Sequence, residues 1–322
     1  MDVNEIIYDD KNNAPLPAVN GNGKVRKTFL EKFGDFFKWF LWGVLVVYCV
    51  SLIIPIIWLL INSLKTHEDY ILHPFGWPQQ WQFTNYVEVF DVLKITLTAK
   101  DGSLMEYGVL PMAVYSLLYS FGQCFFIVLN LTLVAYVIAR YDFIGRNFLF
   151  TLGIVVMIVP IVGSLPAAMV LKTSLGIYNN MFLFIITSVS TAFSGLHFLL
   201  LHAAFKNIPQ SYSEAVFLDG GGHYTALFKV MLPMIAPTCV AIFVLNFLGS
   251  WNDYNTFIIW LPSYPSLAVG LYLFEQAATK GGKISGPVIL CAFVIVVIPT
   301  VILYLSTQNI LLKKFTVGGL KG

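Results

Sequence analysis

The chain has 322 residues, of which 57% are hydrophobic, 16% aromatic and only 11% charged, with a formal net charge of +2. Soluble domains carry about a quarter charged residues, so this chain has too little polar surface for a water-facing globule and the bulk of it must sit in lipid. The small net charge gives no reason to expect a nucleic-acid partner. Cys49, Cys124, Cys239 and Cys291 each lie inside an apolar run without a C-x-x-C pair, and read as small buried hydrophobes rather than a disulfide or metal site.

Residues 1 to about 28 are polar, with Asn, Gly and Pro. Glu5, Asp9 and Asp10 precede an apolar run that starts only near Phe40. This predicts a disordered tail, not a cleavable signal peptide. Six apolar segments follow, at about 40–62, 113–139, 148–171, 181–205, 233–260 and 287–312. Each is near the roughly 20 residues that cross a bilayer, and each should be a helix because lipid offers backbone groups no other partner. The expected fold is all-α, a polytopic membrane protein with six transmembrane helices. Its parts are an N-terminal tail (1–39), a first span (40–62), an outer loop (63–112), a five-helix core (113–312) and a C-terminal tail (313–322).

Lysine and arginine set the expected orientation. With the N-terminus inside, inner segments hold thirteen of them, including Lys38, Arg140, Arg146, Lys206 and Lys229; outer segments hold six, including Lys65, Lys94 and Lys172. The excess predicts that both termini are cytoplasmic. The outer loop from Asn62 to about Met112 carries Pro74, Trp77, Pro78 and Trp81, then the polar stretch Thr98-Ala-Lys-Asp-Gly-Ser103. Its aromatics predict an ordered external cap. Pro160 and Pro166 predict a kink in the third span.

The spans are nearly free of fixed charge; Asp253 is the one carboxylate well inside an apolar stretch. Ion-coupled carriers keep ionisable groups in the membrane for the coupling ion, which argues against that class. A phosphate loop is also missing: Gly281-Gly282-Lys283 lacks the upstream glycine and the following Ser or Thr. Uphill transport would need energy from another polypeptide.

The connection between the fourth and fifth apolar segments, 206–232, is the most informative stretch. Ser211 and Glu214 have capping-box spacing, so a short helix should start there. Gly220, Gly221 and Gly222 should stop it. Tyr224, Leu227, Phe228 and Met231 fall at i, i+3, i+4 and i+7 and predict a second short helix with one apolar face.

Glu214-Ala215, Asp219-Gly220, Leu232-Pro233 and Pro237 together resemble the E-A-A…D-G…L-P signature of importer permeases of the ATP-binding-cassette class. Val216 and Gly221 stand where that family usually has alanine. Asn62-Ser-Leu-Lys65, Phe83-Thr-Asn-Tyr86, the run Ala135–Arg146 and the tail Gly318-Gly-Leu-Lys-Gly322 are similar to other segments of its maltose-transporter-like carbohydrate subunits. The stretch from about Asp91 to Leu110 is longer than usual there. The resemblance implies a type I importer permease fold in a bacterial inner membrane, with no enzyme activity and no cofactor. It implies four kinds of partner: a second homologous permease, an ATP-binding-cassette ATPase dimer, an extracytoplasmic sugar-binding protein and the carbohydrate itself. Residues Glu214, Ala215, Asp219, Gly220, Leu232 and Pro233 would form the ATPase-coupling loop. ATP-driven closure of the ATPases would switch the path from inward- to outward-facing. An importer of the same build for a polyamine or a glycerol phosphate ester is the alternative within the class.

Trp251-Asn-Asp-Tyr-Asn255 interrupts the fifth apolar segment. A buried charge is costly in lipid, so Asp253 and Asn252 could face a solute path, with Trp251 or Tyr254 stacking on a sugar. The cluster could equally mark the outer interface. Asn130 and Asn246 are similar candidates, equally explained by interhelical hydrogen bonds. His197 and His202 read as packing residues.

Overall fold

The computed structural model describes residues 29–98, 102–159, 163–188, 195–281 and 284–315. The expected disordered tail up to residue 28, Pro160, Ala99 to Asp101, Lys283 and the glycine-lysine tail at Gly318–Gly322 lie outside the described residues. The chain divides into two compact units, residues 1–59 and 60–322.

In the first unit α1, which as a whole runs Phe29–Ser63, is apolar on every side from Trp39 to Leu59, and Trp39 and Trp42 meet edge-on at 6.0 Å. A helix of this length rises about 50 Å, more than the roughly 30 Å hydrocarbon core of a bilayer.

The second unit begins with the last turn of α1 and a compact cap. The cap holds α2 (His67–Leu72), α3 (Asn85–Val92) and an antiparallel hairpin of β1 (Ile95–Thr98) and β2 (Leu104–Tyr107), in register Ile95↔Tyr107 to Thr98↔Leu104. The hairpin accounts for the long stretch near 91–110, and it is the one departure from an all-α chain among the described residues. Two strands alone are marginal in water. Here Ser263 anchors them: its hydroxyl donates to the Thr98 carbonyl at 3.1 Å, and its own carbonyl accepts from the Tyr107 hydroxyl at 3.4 Å.

The helices that follow are α4 (Val109–Arg140), α5 (Arg146–Ile158), α6 (Leu165–Ser174), α7 (Met181–Thr187), α8 (Gly195–Lys206), α9 (Ser211–Leu218) and α10 (His223–Thr225). A π-turn at Ala226–Met231 joins α10 to α11 (Leu232–Trp251); α12 (Asn255–Trp260), α13 (Leu267–Gly281) and α14 (Gly286–Phe315) complete the chain. Four helical runs are long and apolar enough to cross a membrane: Phe36–Ser63, Val109–Arg140, His223–Trp251 and Gly286–Ile310.

The other two expected spans differ from a single helix. The third is split into α5 and α6 rather than kinked. Pro166 sits in the first turn of α6, where its missing N–H costs nothing. The fourth is split into α7 and α8. The fifth starts ten residues earlier than its apolar run and is broken before α12. The helix α13 was not expected, because Glu275, Gln276 and Lys280 hide its apolar face.

The spine is α4, which packs against α7, α8, α11 and α13. Two buried apolar clusters share it. One joins Met112, Tyr119 and Cys124 to Leu93, Phe247, Trp251, Phe257 and Cys291. The other joins Ile127, Leu131 and Tyr136 to Phe198, Leu201, Phe205 and Met231. Between lipid-facing helices there is little hydrophobic drive, so close approach matters. A Cβ on Gly286 would lie 2.6 Å from the Tyr70 ring.

The two outer-loop motifs meet in one buried knot. Asn85 is buried at the start of α3, and its amide donates to the carbonyls of both Ser63 and Lys65 at 2.9 Å. Ser63 shares a 2.8 Å hydrogen bond with the Tyr86 hydroxyl, and the Cys291 thiol donates to the Ser63 carbonyl at 3.2 Å. Burial pushes the Tyr86 phenol above its ordinary pKa, partly offset by the Ser63 hydrogen bond. The fully buried Lys65 ammonium donates to the His73 carbonyl at 2.6 Å.

Asn85→Ala should orphan the Lys65 carbonyl, leave the Ser63 carbonyl only the weak Cys291 thiol donor, and destabilise the purified protein by about 2 kcal/mol. Asn85→Asp should be worse, since it sets a carboxylate against both carbonyls. Thermal denaturation of the detergent-solubilised protein checks the order native, Ala, Asp; an Asp variant as stable as the native chain would remove the knot's role.

Candidate functional site

Among the described residues, two places interrupt the helical ladder within polar surroundings: the loop carrying α9, and the break between α11 and α12. In the loop, Pro209 and Gln210 already begin the turn. Gln210 is in the right-handed helical region, and its carbonyl accepts from Ser213 and Glu214. Ser211 is therefore the first helical residue and no longer an N-cap, and no side chain caps α9. The expected capping box of Ser211 and Glu214 is thus not formed. A cap needs extended backbone at the cap residue, and proline has moved the start of the helix ahead of it. Glu214 instead lies exposed in the first turn, where a carboxylate favours the helix dipole.

The other end of α9 closes as a Schellman motif. The Gly221 N–H reaches the Val216 carbonyl at 2.8 Å, and the Gly220 N–H reaches Phe217 at 3.1 Å. Asp219 is the C-cap, and Gly220 has φ +77°, in the left-handed region that glycine occupies without a Cβ penalty. A Cβ on Gly221 would fall 2.6 Å from the Val216 Cγ1 and 2.9 Å from its carbonyl oxygen. The two positions noted as departures from the alanine pattern are thus neighbours, one larger and one smaller.

Apart from Ser213 and Val216, which are half-buried, α9 is exposed on all sides, Ala215 included; Leu218 is 88% and Tyr224 81% exposed. The second short helix is not a separate piece with the expected face. It runs through the π-turn into α11, with the Leu232 N–H bonded to the Leu227 carbonyl. The widened turn rotates the pattern: Ala226, Leu227 and Met231 are buried while Tyr224 and Phe228 point outward. It also lies just ahead of Pro233, whose missing N–H a regular helix would have to accommodate.

The second break follows Trp251. Asn252 is exposed and its amide donates back to the Leu248 carbonyl at 2.9 Å. Asp253 is half-buried and its carboxylate accepts the Thr256 N–H at 2.9 Å, capping α12. Tyr254 stacks on Tyr272 at 4.7 Å. Trp251 does not present a ring to a solute. It is 1% exposed, stacks on Phe247 at 5.7 Å, and donates its indole N–H to the Val296 carbonyl at 2.9 Å, tying α11 to α14.

Sequence reading missed the groups facing this break. Gln123 in α4 accepts from the Ser250 hydroxyl at 2.8 Å, with Cys124 beside it. A glutamine inside an apolar run was the available signal. Asn130 is half-buried seven residues further along α4, about 10 Å of helix rise, and does not join this group. Asn246 bonds His197 at 3.3 Å between α11 and α8, and His202 packs on Phe150 at 4.6 Å, as interhelical and packing roles require. Among the described residues no cluster of His, Cys, Asp or Glu could hold a metal.

Residues 131–316 match the family described as binding-protein-dependent transport system inner membrane component. The chain is 25% identical over 267 residues to the diacetylchitobiose uptake system permease protein of Streptomyces coelicolor, covering 83% of each chain. The fold is similar to that of a bacterial ABC transporter involved in import of the acidic polysaccharide alginate, with a TM-score of 0.69 at 18% identity over 89% of this chain and 99% of that one. It is also similar to the alginate transporter in complex with an alginate pentasaccharide-bound periplasmic protein, with a TM-score of 0.56 at 15% identity over 87% and 97%.

Gly221→Ala should fray the end of α9, seen as faster hydrogen exchange at the amides of Asp219 to Gly221. Val216→Ala in the same chain should restore part of the protection, because it removes the nearer of the two contacts. A single variant protected like the native chain would show that the glycine is not required.

Proposed function

Because the chain belongs to the family of binding-protein-dependent transport system inner membrane components, a family of multi-pass membrane transport permeases, we propose that it is one permease subunit of an ATP-driven carbohydrate importer. The observation that carries this reading is the exposed helix α9 with its glycine-closed end, inside the matched region 131–316. A helix that buries no residue in its own chain is suited to docking on a separate protein. The proposed assembly has a second homologous permease, two ATP-binding-cassette ATPase subunits and an extracytoplasmic binding protein. The relation to an alginate transporter crystallised with its periplasmic protein supports the last of these.

Carbohydrate is favoured as cargo because an amino-sugar disaccharide and an acidic polysaccharide, carried by two relatives, share that class and little else. In this reading Glu214, Ala215, Asp219 and Gly220 form the docking element, and Leu232 and Pro233 join it to α11. Asn252 and Asp253, with Gln123 and Ser250, line the solute path. Closure of the ATPases on ATP drives α9 and, through it, the helices that bound the path. In this reading both termini are cytoplasmic, which the excess of lysine and arginine on the inner segments supports.

Affinity purification of the tagged chain from the membranes of its own cell should yield a complex containing an ATP-binding-cassette ATPase. Proteoliposomes of that complex should take up a labelled neutral or acidic oligosaccharide only with internal ATP and external binding protein. Uptake by the chain alone on an ion gradient would overturn the importer reading.

Orientation is checked with an impermeant thiol reagent on intact cells. Gln80→Cys should label and Ile144→Cys should not; the reverse pattern would invert the topology.

A further inference from the structure

The loop that carries α9 is held at both ends by two consecutive residues at the end of α4, its last residue and its C-cap. At its start, the Arg140 guanidinium donates to the Ile208 carbonyl at 2.7 Å. At its finish, the Tyr141 hydroxyl lies 2.8 Å from Nδ1 of His223, the first residue of α10. Between these clasps the chain passes through Pro209, α9 and three glycines, and α9 has no buried residue of its own. Glycines 220 to 222 contribute no side chains that could hold the helix against the bundle.

His223 adds a second link. Its ring meets Phe217, near the end of α9, edge-on at 5.0 Å, and lies 5.3 Å from Tyr141. Tyr141 meets Tyr136 edge-on at 5.6 Å with their hydroxyls 3.4 Å apart, and Tyr136 packs on Phe205 of α8 at 5.3 Å. A row of five rings therefore runs from α9 to the ends of α4 and α8. Aromatic pairs at these separations attract beyond simple area burial.

We propose that His223 is a positioning residue that makes α9 move as one body with the cytoplasmic ends of α4 and α8, through its hydrogen bond to Tyr141 and its contact with Phe217. The proposal rests on the reading of α9 as the ATPase-docking helix. Without the clasp, the three glycines would flex and absorb a displacement of α9. With it, the displacement is delivered to the two helices that enclose the second buried cluster. In the tautomer that leaves Nδ1 unprotonated, Nδ1 accepts the hydrogen bond of the Tyr141 O–H, and the proposed role needs an acceptor at that atom and a flat group beside Phe217.

The test uses the complex assembled with its permease and ATPase partners, spin-labelled at Leu218→Cys and Ile144→Cys with the exposed Cys49 replaced by Ser. Pulsed dipolar spectroscopy on the otherwise native chain should give one narrow distance population. Tyr141→Phe and His223→Ala should each raise the fraction outside that population about five-fold, the worth of one net hydrogen bond. His223→Asn, whose side-chain oxygen can reach the Nδ1 position, should restore the narrow population, and His223→Gln should not. The double variant Tyr141→Phe with His223→Ala should resemble the worse single one. Narrow populations in both single variants, or equal behaviour of Asn and Gln, would overturn the proposal. Loss of the ATPase from the unsubstituted complex would instead overturn the docking reading, and the distances would still report on the clasp.

Discussion

In hydrocarbon a backbone N–H or C=O has no partner except another group of the protein. Continuous helices meet this demand without help. Among the described residues, several places where this chain stops being helical are stitched by side chains or by a special turn. The last turn of α1 is closed by the Asn85 amide on the Ser63 and Lys65 carbonyls. The α8–α9 connection is closed by Arg140 on Ile208, and the end of α9 by the Gly220–Gly221 turn. The break after α11 is closed by Asn252 behind and Asp253 ahead. The α12–α13 turn is closed by Asn179, whose side-chain oxygen accepts from the Ser263 N–H while its amide donates to the Ser263 hydroxyl.

The same constraint explains what could be read from the sequence. An apolar run near 20 residues has few options, so α1, α4, α11 and α14 were legible. Gly220 was legible because a helix must end against a residue that accepts positive φ. The stitches themselves were not, because they join residues far apart in the chain: Asn85 to Ser63, Ser263 to Thr98, Tyr141 to His223. Asn85 was visible as part of a familial motif, but its partner was not. The capping box failed for a local reason, since the serine and glutamate spacing is blind to a proline two residues earlier. The π-turn failed for a subtler one. A pattern counted at 3.6 residues per turn is shifted by the extra residue, so Tyr224 and Phe228 came out on the wrong face.

The break after Trp251 illustrates how a polar cluster divides its duties. In the sequence, Asn252 and Asp253 offered polar groups to a solute and Trp251 or Tyr254 a ring to stack on it. In the fold, Trp251 is spent on α14 and Tyr254 on Tyr272, while the hydrogen bonds of Asn252 and Asp253 close helix ends. Their chemistry is thus partly used for structure, and a solute passing here would meet an amide and a carboxylate already oriented by the backbone. Preoriented groups lose little side-chain freedom on contact, which lowers the entropic cost of each contact they make.

α4 connects these two regions physically. Gln123 on this helix bonds Ser250 just ahead of the break, and Arg140 and Tyr141 at its end hold the loop that bears α9. From Gln123 to Arg140 is seventeen residues, about 25 Å of unbroken helix. A helix of that length transmits a rigid displacement, because bending it would strain hydrogen bonds that lipid cannot replace. Any movement delivered at Tyr141 therefore reaches Gln123 as a translation or rotation of the whole rod. The contact between Gln123 and Ser250 must then follow it or part; under the proposed function, that choice is where a force on the exposed helix would reach the break after α11.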